Sequence, residues 1–353
     1  MEIGIDIKDR EYSIILERGC IKRANELLST GRKCLIVTDD GVPEEYVRTV
    51  ADGCTQPVVV TVPRGEGSKS LGQLENILNL MLREGFTRSD CVIAVGGGMA
   101  GDLAGFAAAT YMRGVDFYNI PTTILSQADS SIGGKTAVNL GGAKNIVGAF
   151  WQPRMVLIDP DLPETLPRDQ KLSGLAEIIK SGMIADAGLF EYIEDVCSGG
   201  GCDPDNTDKT VSAPRDILAQ LDTEKMLEAA LRVKKAVVEE DEREAGRRRI
   251  LNFGHTIGHG IESVTGMLHG WSVAAGMIPM CSDEVRGRLV CVLRSLGLPD
   301  SADCDPEAVM QAMLHDKKMD GGSIRAVIVE NIGSAEIKLM TPEEIRGRLE
   351  VIM

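Results

Sequence analysis

Residues 91–113 read CVIAVGGGMAGDLAGFAAATYMR, an apolar run that passes through three glycines into an alanine-rich stretch. This order predicts a buried strand, a tight turn and a helix. Glycine lets a phosphate approach the backbone, and the first N–H groups of a helix face such an anion with the positive end of the helix dipole. The segment therefore predicts a dinucleotide site. The competing interpretation is a plain strand-to-helix turn of an α/β protein.

The pattern around this segment changes character near residue 160. Before it, β-branched runs alternate with helical stretches, which is typical of a parallel sheet covered by helices. After it, residues 175–186, 223–244 and 306–318 repeat apolar residues at the helical period, with few strand signals before 324–330. We predict an α/β N-terminal domain with a mostly parallel, Rossmann-like sheet over residues 1–160. A mainly α-helical C-terminal domain is predicted over residues 161–353.

Composition limits the classes of partner. The 353 residues include 53 acidic and 38 basic ones, a net charge of −15, which disfavours nucleic acid and anionic membranes. The first 16 residues lack the apolar core of a signal peptide, and no apolar run reaches about 18 residues. Nine scattered cysteines without a CxxC pair indicate neither a disulfide framework nor a thiolate zinc site. We expect a soluble cytoplasmic protein.

The first half holds further cofactor candidates. Asp39 closes the run LIVTD, where a carboxylate can bind ribose hydroxyls and repel a 2′-phosphate, favouring NAD over NADP. It could equally be a helix-capping or turn residue. Glu66 and Lys69 lie in PRGEGSK after the next strand, where a role facing the nucleotide competes with simple solvent exposure.

The second half holds the metal candidates. Three of the four histidines fall within fifteen residues, as His255 and His259 in NFGHTIGH and His269 in LHGW. On a helix His255 and His259 share a face, as two metal ligands would, although two hydrogen-bonded histidines are the simpler interpretation. Glu177 and Lys180 form an acid–base pair on an apolar helix. Burying charges is costly without a partner or a metal, and a salt bridge within the helix is the alternative.

A third cluster lies at residues 127–145, QADSSIGGKTAVNLGGAKN. Lys135, Lys144 and Asn145 on a glycine-rich loop are typical of an anion site, and Asp129 there would handle a proton or a hydroxyl. A merely flexible loop is the competing interpretation. Residues 198–214, rich in Gly, Asp, Asn and Pro, predict an exposed loop that does not order.

Taken in order, several long motifs resemble the 3-dehydroquinate synthases of the shikimate pathway, within the wider sugar-phosphate cyclase superfamily. They are GGGMAGDLAGFAAATYMRG, PTTILSQADSSIGGKTAVNL, KNIVGAFWQP, ETLP, SGLAEIIKSG, VVEEDEREAGRRRILNFGHTIGH, LHG and DKK, and they cover nearly the whole chain. The resemblance implies an NAD-binding N-terminal domain, a C-terminal domain that binds zinc or cobalt, and a homodimer. It also implies conversion of 3-deoxy-D-arabino-heptulosonate 7-phosphate to 3-dehydroquinate by transient oxidation, phosphate elimination, reduction and intramolecular aldol closure.

The resemblance also assigns roles to individual residues. The metal ligands become Glu177, His255 and His269, while His259 lies off the metal near the substrate, whereas helix geometry alone would put both helix histidines on the ion. The NAD contacts become Asp39, Glu66, Lys69, Gly97, Gly98, Gly101, Asp102, Thr122 and Thr123. The catalytic and substrate residues become Asp129, Lys135, Lys144, Asn145, Lys180, Lys234, Arg248, Asn252, His259 and one of Lys317 and Lys318. Arg113 would reach the phosphate site of the partner subunit.

One departure from the family pattern concerns the metal. The family usually reads His-Gly-Glu after the third ligand, but this chain has Trp271 there. Changes beside a metal can cost 10- to 100-fold in affinity or activity. We therefore expect an active enzyme with altered metal binding.

Two other functions remain open at this point. A related cyclase or a metal-dependent polyol dehydrogenase could use the same scaffold, although Lys234, Arg248 and Asn252 suit a substrate with a carboxylate. A non-catalytic NAD-binding homologue is the alternative from another class, and only Trp271 favours it.

Overall fold

The computed structural model describes residues 1–8, 10–198, 217–316 and 323–353. The chain divides into two compact units, Met1–Leu166 and Pro167–Met353. The division falls six residues after the one that the sequence predicts.

A twisted sheet forms the centre of the first unit. Its strands are β1 (Glu2–Ile5), β2 (Tyr12–Leu16), β3 (Lys33–Asp39), β4 (Gln56–Val62), β5 (Cys91–Gly96) and β6 (Asp116–Pro121), with Met155–Ile158 between β2 and β6. The order is β1, β2, Met155–Ile158, β6, β5, β3, β4, and every neighbouring pair is parallel except β1 with β2. This confirms the mostly parallel sheet predicted from the βα alternation.

Helices cover both faces of this sheet because alternate residues of each strand point to opposite sides. The helices of this unit are α1 (Ala24–Leu27), α2 (Glu44–Asp52), α3 (Leu71–Arg83) and α4 (Gly98–Thr110). Leu35 and Val37 of β3 pack with the apolar residues of α3 and α4. Cys34 and Ile36 face the other way, toward the apolar face of α2. Apolar side chains fill the space between the sheet and the helices on both faces, so a ligand site is expected at the ends of the strands.

The prediction of a glycine-rich loop at residues 127–145 is wrong for most of its length. Lys135–Leu140 (β7) and Ala143–Phe150 (β8) pair as an antiparallel hairpin, and the strand Met155–Ile158 is therefore β9. Gly141 and Gly142 form its turn with φ of 60° and 82°, the left-handed conformation that two-residue hairpin turns require. The glycines therefore mark a tight turn between strands. Ser126–Ser130 forms a short π-helical segment before the hairpin.

The second unit is mainly helical, as predicted. Its helices are α5 (Arg168–Ala185), α6 (Ala187–Ser198), α7 (Thr223–Glu240), α8 (His255–Thr265), α9 (His269–Met277), α10 (Asp283–Leu296), α11 (Pro306–Asp316) and α12 (Pro342–Leu349). One antiparallel hairpin, β10 (Ile324–Asn331) with β11 (Ser334–Met340), accounts for the late strand signal. Among the described residues, no helix combines the length and apolar character needed to cross a bilayer.

Two parts of the sequence prediction, a loop and a pair of lysines, fall on residues that the structure does not describe. Most of the loop predicted at residues 198–214, and both Lys317 and Lys318, lie outside the described residues. The eight cysteines that the structure describes are all free thiols, and most are buried. They agree with the prediction that the cysteines form no disulfide framework.

Candidate functional site

The glycine turn of the first unit lies at the switch point of the sheet. The chain leaves β3 toward β4 on one side and leaves β5 toward β6 on the other, so the carboxyl ends of β3 and β5 form a crevice. Open α/β sheets bind ligands at such a crevice. Gly97 caps α4 without any side-chain hydrogen bond, which leaves the first N–H groups of the helix available to an anion.

Asp39 lies at the other side of this crevice. Its Oδ1 accepts the Gly41 N–H at 2.9 Å, which is the turn role that the sequence left open. Its Oδ2 lies 3.4 Å from the position that a Cβ on Gly96 would occupy, so the carboxylate borders the glycine turn. Burial raises the pKa of Asp39 above its ordinary value. A ribose hydroxyl could bind at Oδ2 while Oδ1 keeps the turn.

Thr122 and Thr123 follow the neighbouring strand β6. The Thr122 N–H donates to Gly96 O at 2.9 Å, and Thr123 lies against Gly97, with its Cγ2 3.3 Å from where a Cβ on that glycine would be. Gly101 packs against Asn119 in the same way. The residues predicted to contact NAD thus surround a single turn, with Glu66, Lys69 and Asp102 beside it as described next.

Lys69 connects several predicted residues. The ammonium is buried, 2.5 Å from Asp102 Oδ2 and 3.9 Å from Glu66 Oε1, and it also donates to the side-chain oxygen of Asn145. Asn139 completes the network by donating to Glu66 at 2.8 Å. These contacts order the segment after β4 against the hairpin, and a role of Glu66 and Lys69 toward a nucleotide stays a prediction.

The remaining predicted residues of the first unit lie at its surface or in the short π-helical segment. Asp129 is in that segment, and Lys135 and Lys144 are exposed on β7 and β8. Arg113 is exposed after α4, where both it and Met112 adopt positive φ, 67° and 48°. Such backbone costs of order 1–3 kcal/mol per residue and is found preferentially at functional positions.

In the second unit, Glu177, His255 and His269 converge. His255 Nε2 and His269 Nε2 lie 3.5 and 3.4 Å from the same oxygen of Glu177. The three side chains offer ligand atoms within 4.8 Å of one another. One carboxylate and two imidazoles are ligands that zinc and cobalt prefer. His259 lies beside them, with its ring centroid 5.3 Å from that of His255.

Two glycines allow the three helices to come this close. A Cβ on Gly270 would lie 1.8 Å from Ser173 O on α5, and a Cβ on Gly276 would lie 2.2 Å from Gly254 O. Any larger residue at either position would push α9 away from its neighbour. The glycines of GHTIGHG and HGWSVAAGM therefore bring together the three residues predicted to bind metal.

The hydrogen bonds of the two histidines determine which nitrogen faces Glu177. His255 Nδ1 lies 3.1 Å from the Phe253 carbonyl and His269 Nδ1 lies 3.0 Å from Glu262 Oε2. Both partners only accept, so each Nδ1 carries the proton and Nε2 is the atom presented to a metal. Burial lowers the pKa of His255 to about 3, which keeps that ring neutral.

Glu177 is the most deeply placed member of the group. It is 1% exposed, and in the described part of the chain neither of its oxygens accepts a hydrogen bond of normal geometry. Burial favours the neutral acid, but the adjoining Lys180 ammonium holds the pKa of Glu177 well below its usual range. For His269, burial disfavours the charged ring, while Glu177 and Glu262 raise its pKa to about 9. Lys180 Nζ forms an ion pair with Glu177 Oε2, which is the salt bridge within the helix that the sequence left open. The other oxygen, Oε1, faces the two histidines, where a bound cation fits.

Arg248 is buried, whereas an arginine that follows an acidic run is expected to be exposed to solvent. It is 2% exposed, although such a residue is by default a solvated salt-bridge partner. Its backbone N–H donates to Asp241 Oδ2 at 3.0 Å, and its side-chain Nη1 donates to the Glu242 carbonyl. Lys234 is also buried, and Asn252 donates to Glu244 Oε1 at 2.6 Å.

Glu262 and Glu244 are residues that sequence reasoning missed. Glu262 contacts His269 from the preceding helix, and Glu244 holds the predicted substrate residue Asn252. The position of Glu262, seven residues after His255, would have placed it on the histidine face of α8. No such periodic signal marks Glu244, which lies in a turn at φ 58°.

The sequence matches two family models along most of its length. Residues 59–173 match 3-dehydroquinate synthase N-terminal and residues 174–319 match 3-dehydroquinate synthase C-terminal. The 3-dehydroquinate synthase of Streptococcus mutans is 38% identical over 99% of this chain and 100% of its own length. That of Desulforamulus reducens is 39% identical over 95% of both chains.

Solved structures share the fold at lower identity. A 2-deoxy-scyllo-inosose synthase complexed with carbaglucose-6-phosphate, NAD⁺ and Co²⁺ superposes with a TM-score of 0.84 at 23% identity over 100% of both chains. The 2-epi-5-epi-valiolone synthase ValA of Streptomyces hygroscopicus subsp. jinggangensis, with NAD⁺ and Zn²⁺ bound, gives 0.83 at 24% identity over 98% of both. A probable glycerol dehydrogenase of Sinorhizobium meliloti gives 0.60 at 17% identity over 96% of this chain and 95% of its own.

Proposed function

Because this chain belongs to the 3-dehydroquinate synthase family, we propose that it converts 3-deoxy-D-arabino-heptulosonate 7-phosphate to 3-dehydroquinate and inorganic phosphate. This is a carbon–oxygen lyase reaction of the shikimate pathway, which leads to chorismate and the aromatic amino acids. The observation that carries the proposal in this structure is the convergence of Glu177, His255 and His269. Two 3-dehydroquinate synthases align with 99% and 95% of this chain, which supports the assignment.

The residues present fit both cofactors that the family implies. Glu177, His255 and His269 would hold Zn²⁺ or Co²⁺, and the buried, incompletely satisfied carboxylate of Glu177 supports this. The glycine turn at residues 97–102, with Asp39, Thr122 and Thr123, would hold NAD. When bound, NAD supplies a reversible acceptor of hydride and the divalent ion supplies Lewis acidity toward a substrate hydroxyl.

Different basic side chains of the protein would bind different groups of the anionic substrate. The substrate carries a carboxylate and a phosphate, and the buried Arg248, whose planar guanidinium suits two-point recognition of a carboxylate, would bind the carboxylate. Buried Lys180 and Lys234 would bind oxygens of the same molecule, and Lys180 also keeps Glu177 ionised. Each amine then has a task that offsets the cost of its burial.

Polar residues of the chain would position substrate hydroxyls and move protons. Asn252, held by Glu244, presents an amide of fixed orientation. Asp129 precedes Ser130, which lies against Gly98 of the glycine turn, and the His259 ring lies 5.3 Å from that of His255. Each of the two would accept a proton from a substrate hydroxyl. Lys135, Lys144 and Asn145, with one of Lys317 and Lys318, would complete the phosphate and hydroxyl contacts.

We also propose that the enzyme is a cytoplasmic homodimer. The exposed Arg113, in strained backbone beside the 44% exposed Met112, would reach the phosphate site of the partner subunit. Free cysteines throughout the described residues fit a reducing compartment.

The test supplies the heptulosonate phosphate, NAD and Zn²⁺ to purified protein. We expect release of one phosphate per substrate, 3-dehydroquinate as the carbocycle, and many turnovers per NAD without accumulated NADH, because the hydride is returned. A different ring would favour another cyclase of the superfamily, and stoichiometric NADH would favour a polyol dehydrogenase. Absence of turnover at full NAD and metal occupancy would favour a non-catalytic homologue.

A further inference from the structure

We infer that Glu262 is a positioning residue for the metal centre, acting through His269; the inference rests on the proposed metal ligands above. Its carboxylate contacts the ring nitrogen that points away from Glu177, 3.0 Å from Nδ1. The side chain is 17% exposed, and the ring between the two carboxylates is therefore held from both sides.

The chemistry of the contact determines its direction. An ionised carboxylate only accepts, so His269 donates through Nδ1–H, which leaves Nε2, the nitrogen that faces Glu177, as the atom available to a metal. The Phe253 carbonyl does the same for His255. A carboxylate in this place also makes the ring a stronger electron donor than a carbonyl does, which is the usual effect of an acid behind a metal-binding histidine.

The geometry of α8 places Glu262 where this contact is made. His255, His259 and Glu262 are spaced by four and three residues and share one face of the helix. The helix ends at Gly266 in a left-handed conformation, φ 70°, and α9 starts three residues later with His269. The turn folds α9 back so that His269 meets the face that carries Glu262.

The same residues could be interpreted as a second metal site. His259, Glu262 and His269 offer ligand atoms within 4.8 Å of one another, and His269 belongs to both groups. Two ions would then share one imidazole, which would have to lose both ring protons. The 3.0 Å contact to Nδ1 is instead a hydrogen-bond distance that needs a proton on that nitrogen, so the geometry favours one ion and an outer partner.

The test measures metal binding and does not depend on turnover. We expect Glu262→Ala to weaken Zn²⁺ about 10- to 100-fold in competition with a chelating dye, and to change the visible absorption of the Co²⁺-loaded protein. Glu262→Gln can still accept from Nδ1–H, so it should recover most of that affinity. Glu194→Ala is the matched control, because Glu194 is similarly exposed, at 21%, and is hydrogen-bonded to Arg288 in the same unit. It should leave the affinity at the wild-type value.

Three outcomes would overturn the inference. Wild-type affinity and spectrum in Glu262→Ala would show that the carboxylate does not act on His269. Equal losses in Glu262→Ala and Glu194→Ala would indicate a general structural effect. Two ions per wild-type chain, with one lost in His259→Ala, would make Glu262 a ligand of a second ion. A chain that binds one ion as expected but releases no phosphate would refute the proposed function alone.

Discussion

Gly270→Ala tests whether close helix packing builds the metal centre. The added Cβ would lie 1.8 Å from Ser173 O, 2.6 Å from Ser173 C and 2.8 Å from its Cα. These are backbone atoms of α5, so no side chain can move aside. A carbon and an oxygen atom are in contact at about 3.3 to 3.6 Å, and α9 must therefore move by roughly 1.5 Å. The hydrogen bond from Gly270 N to Ser173 Oγ, 3.0 Å, would be lost as well.

We expect Gly270→Ala to weaken both folding and metal binding. Overpacking of this kind costs about 1 to 3 kcal/mol, occasionally more, and the lost hydrogen bond adds about 1 kcal/mol. Metal sites tolerate only about 0.2 Å in their ligand distances, so a shift of α9 that carries His269 away from Glu177 should weaken Zn²⁺ by more than about 100-fold.

Urea unfolding of the metal-free protein and metal content after dialysis measure the two effects separately. Gly347→Ala is the control, since Gly347 lies within α12 and a Cβ there meets nothing within 4 Å. That substitution should raise the free energy of unfolding by about 0.5 to 1 kcal/mol and leave the metal unchanged. A Gly270→Ala protein with wild-type stability and wild-type zinc content would refute the packing argument.

Three further predictions concern single side chains. Arg248→Ala should lower kcat/KM about 30- to 150-fold, about 2 to 3 kcal/mol for a charge-assisted contact, with zinc content unchanged; an unchanged kcat/KM would refute the carboxylate role. In Asp116, burial opposes ionisation, but hydrogen bonds from Arg154 and Arg32, both 2.7 Å, hold its pKa below the ordinary 3.8. The two ion pairs stabilise the fold fully at pH values above 3.8, and this stabilisation is lost as the pH falls through the lowered pKa of Asp116. Asp116→Asn should therefore lower the free energy of unfolding by about 1 kcal/mol at pH 7. The difference in unfolding free energy between variant and wild type should shrink in acid, and a difference that does not depend on pH would contradict this. Trp271→Phe should cost under about 1.5 kcal/mol and leave zinc affinity unchanged, because the buried indole N–H has no partner among the described residues; a clear loss of zinc would show that this N–H serves the metal centre.

The sequence predicted what depends on local order along the chain. The βα alternation, the strand, turn and helix of residues 91–113 and the shared face of His255 and His259 all follow from spacing within a few residues. Features that depend on contacts between distant segments were not predictable in this way. The sequence predicts a loop at residues 127–145 because the glycines of this stretch and the exposed second strand of the hairpin hide the strand pattern.

Burial was the least predictable property of the charged residues. Arg248 follows a strongly acidic run, which by itself indicates a solvated side chain, yet it is enclosed within its unit. Its backbone N–H is held by Asp241, whose carboxylate also accepts from Ala245 and Gly246. The acidic run thus serves partly to shape the turn that carries the arginine inward.

Glu262 gives a physical reason why Trp271 can replace an acid without removing the metal centre. The carboxylate behind His269 comes from α8, so it does not depend on the residue two positions after the ligand. A substitution at position 271 changes the surroundings of α9 but leaves both contacts of the His269 ring in place, Glu177 at Nε2 and Glu262 at Nδ1. The orientation of the His269 ring is therefore determined by the packing of α8 and α9, in which Gly276 permits the close approach, and the proposed metal site does not require an acid at position 271.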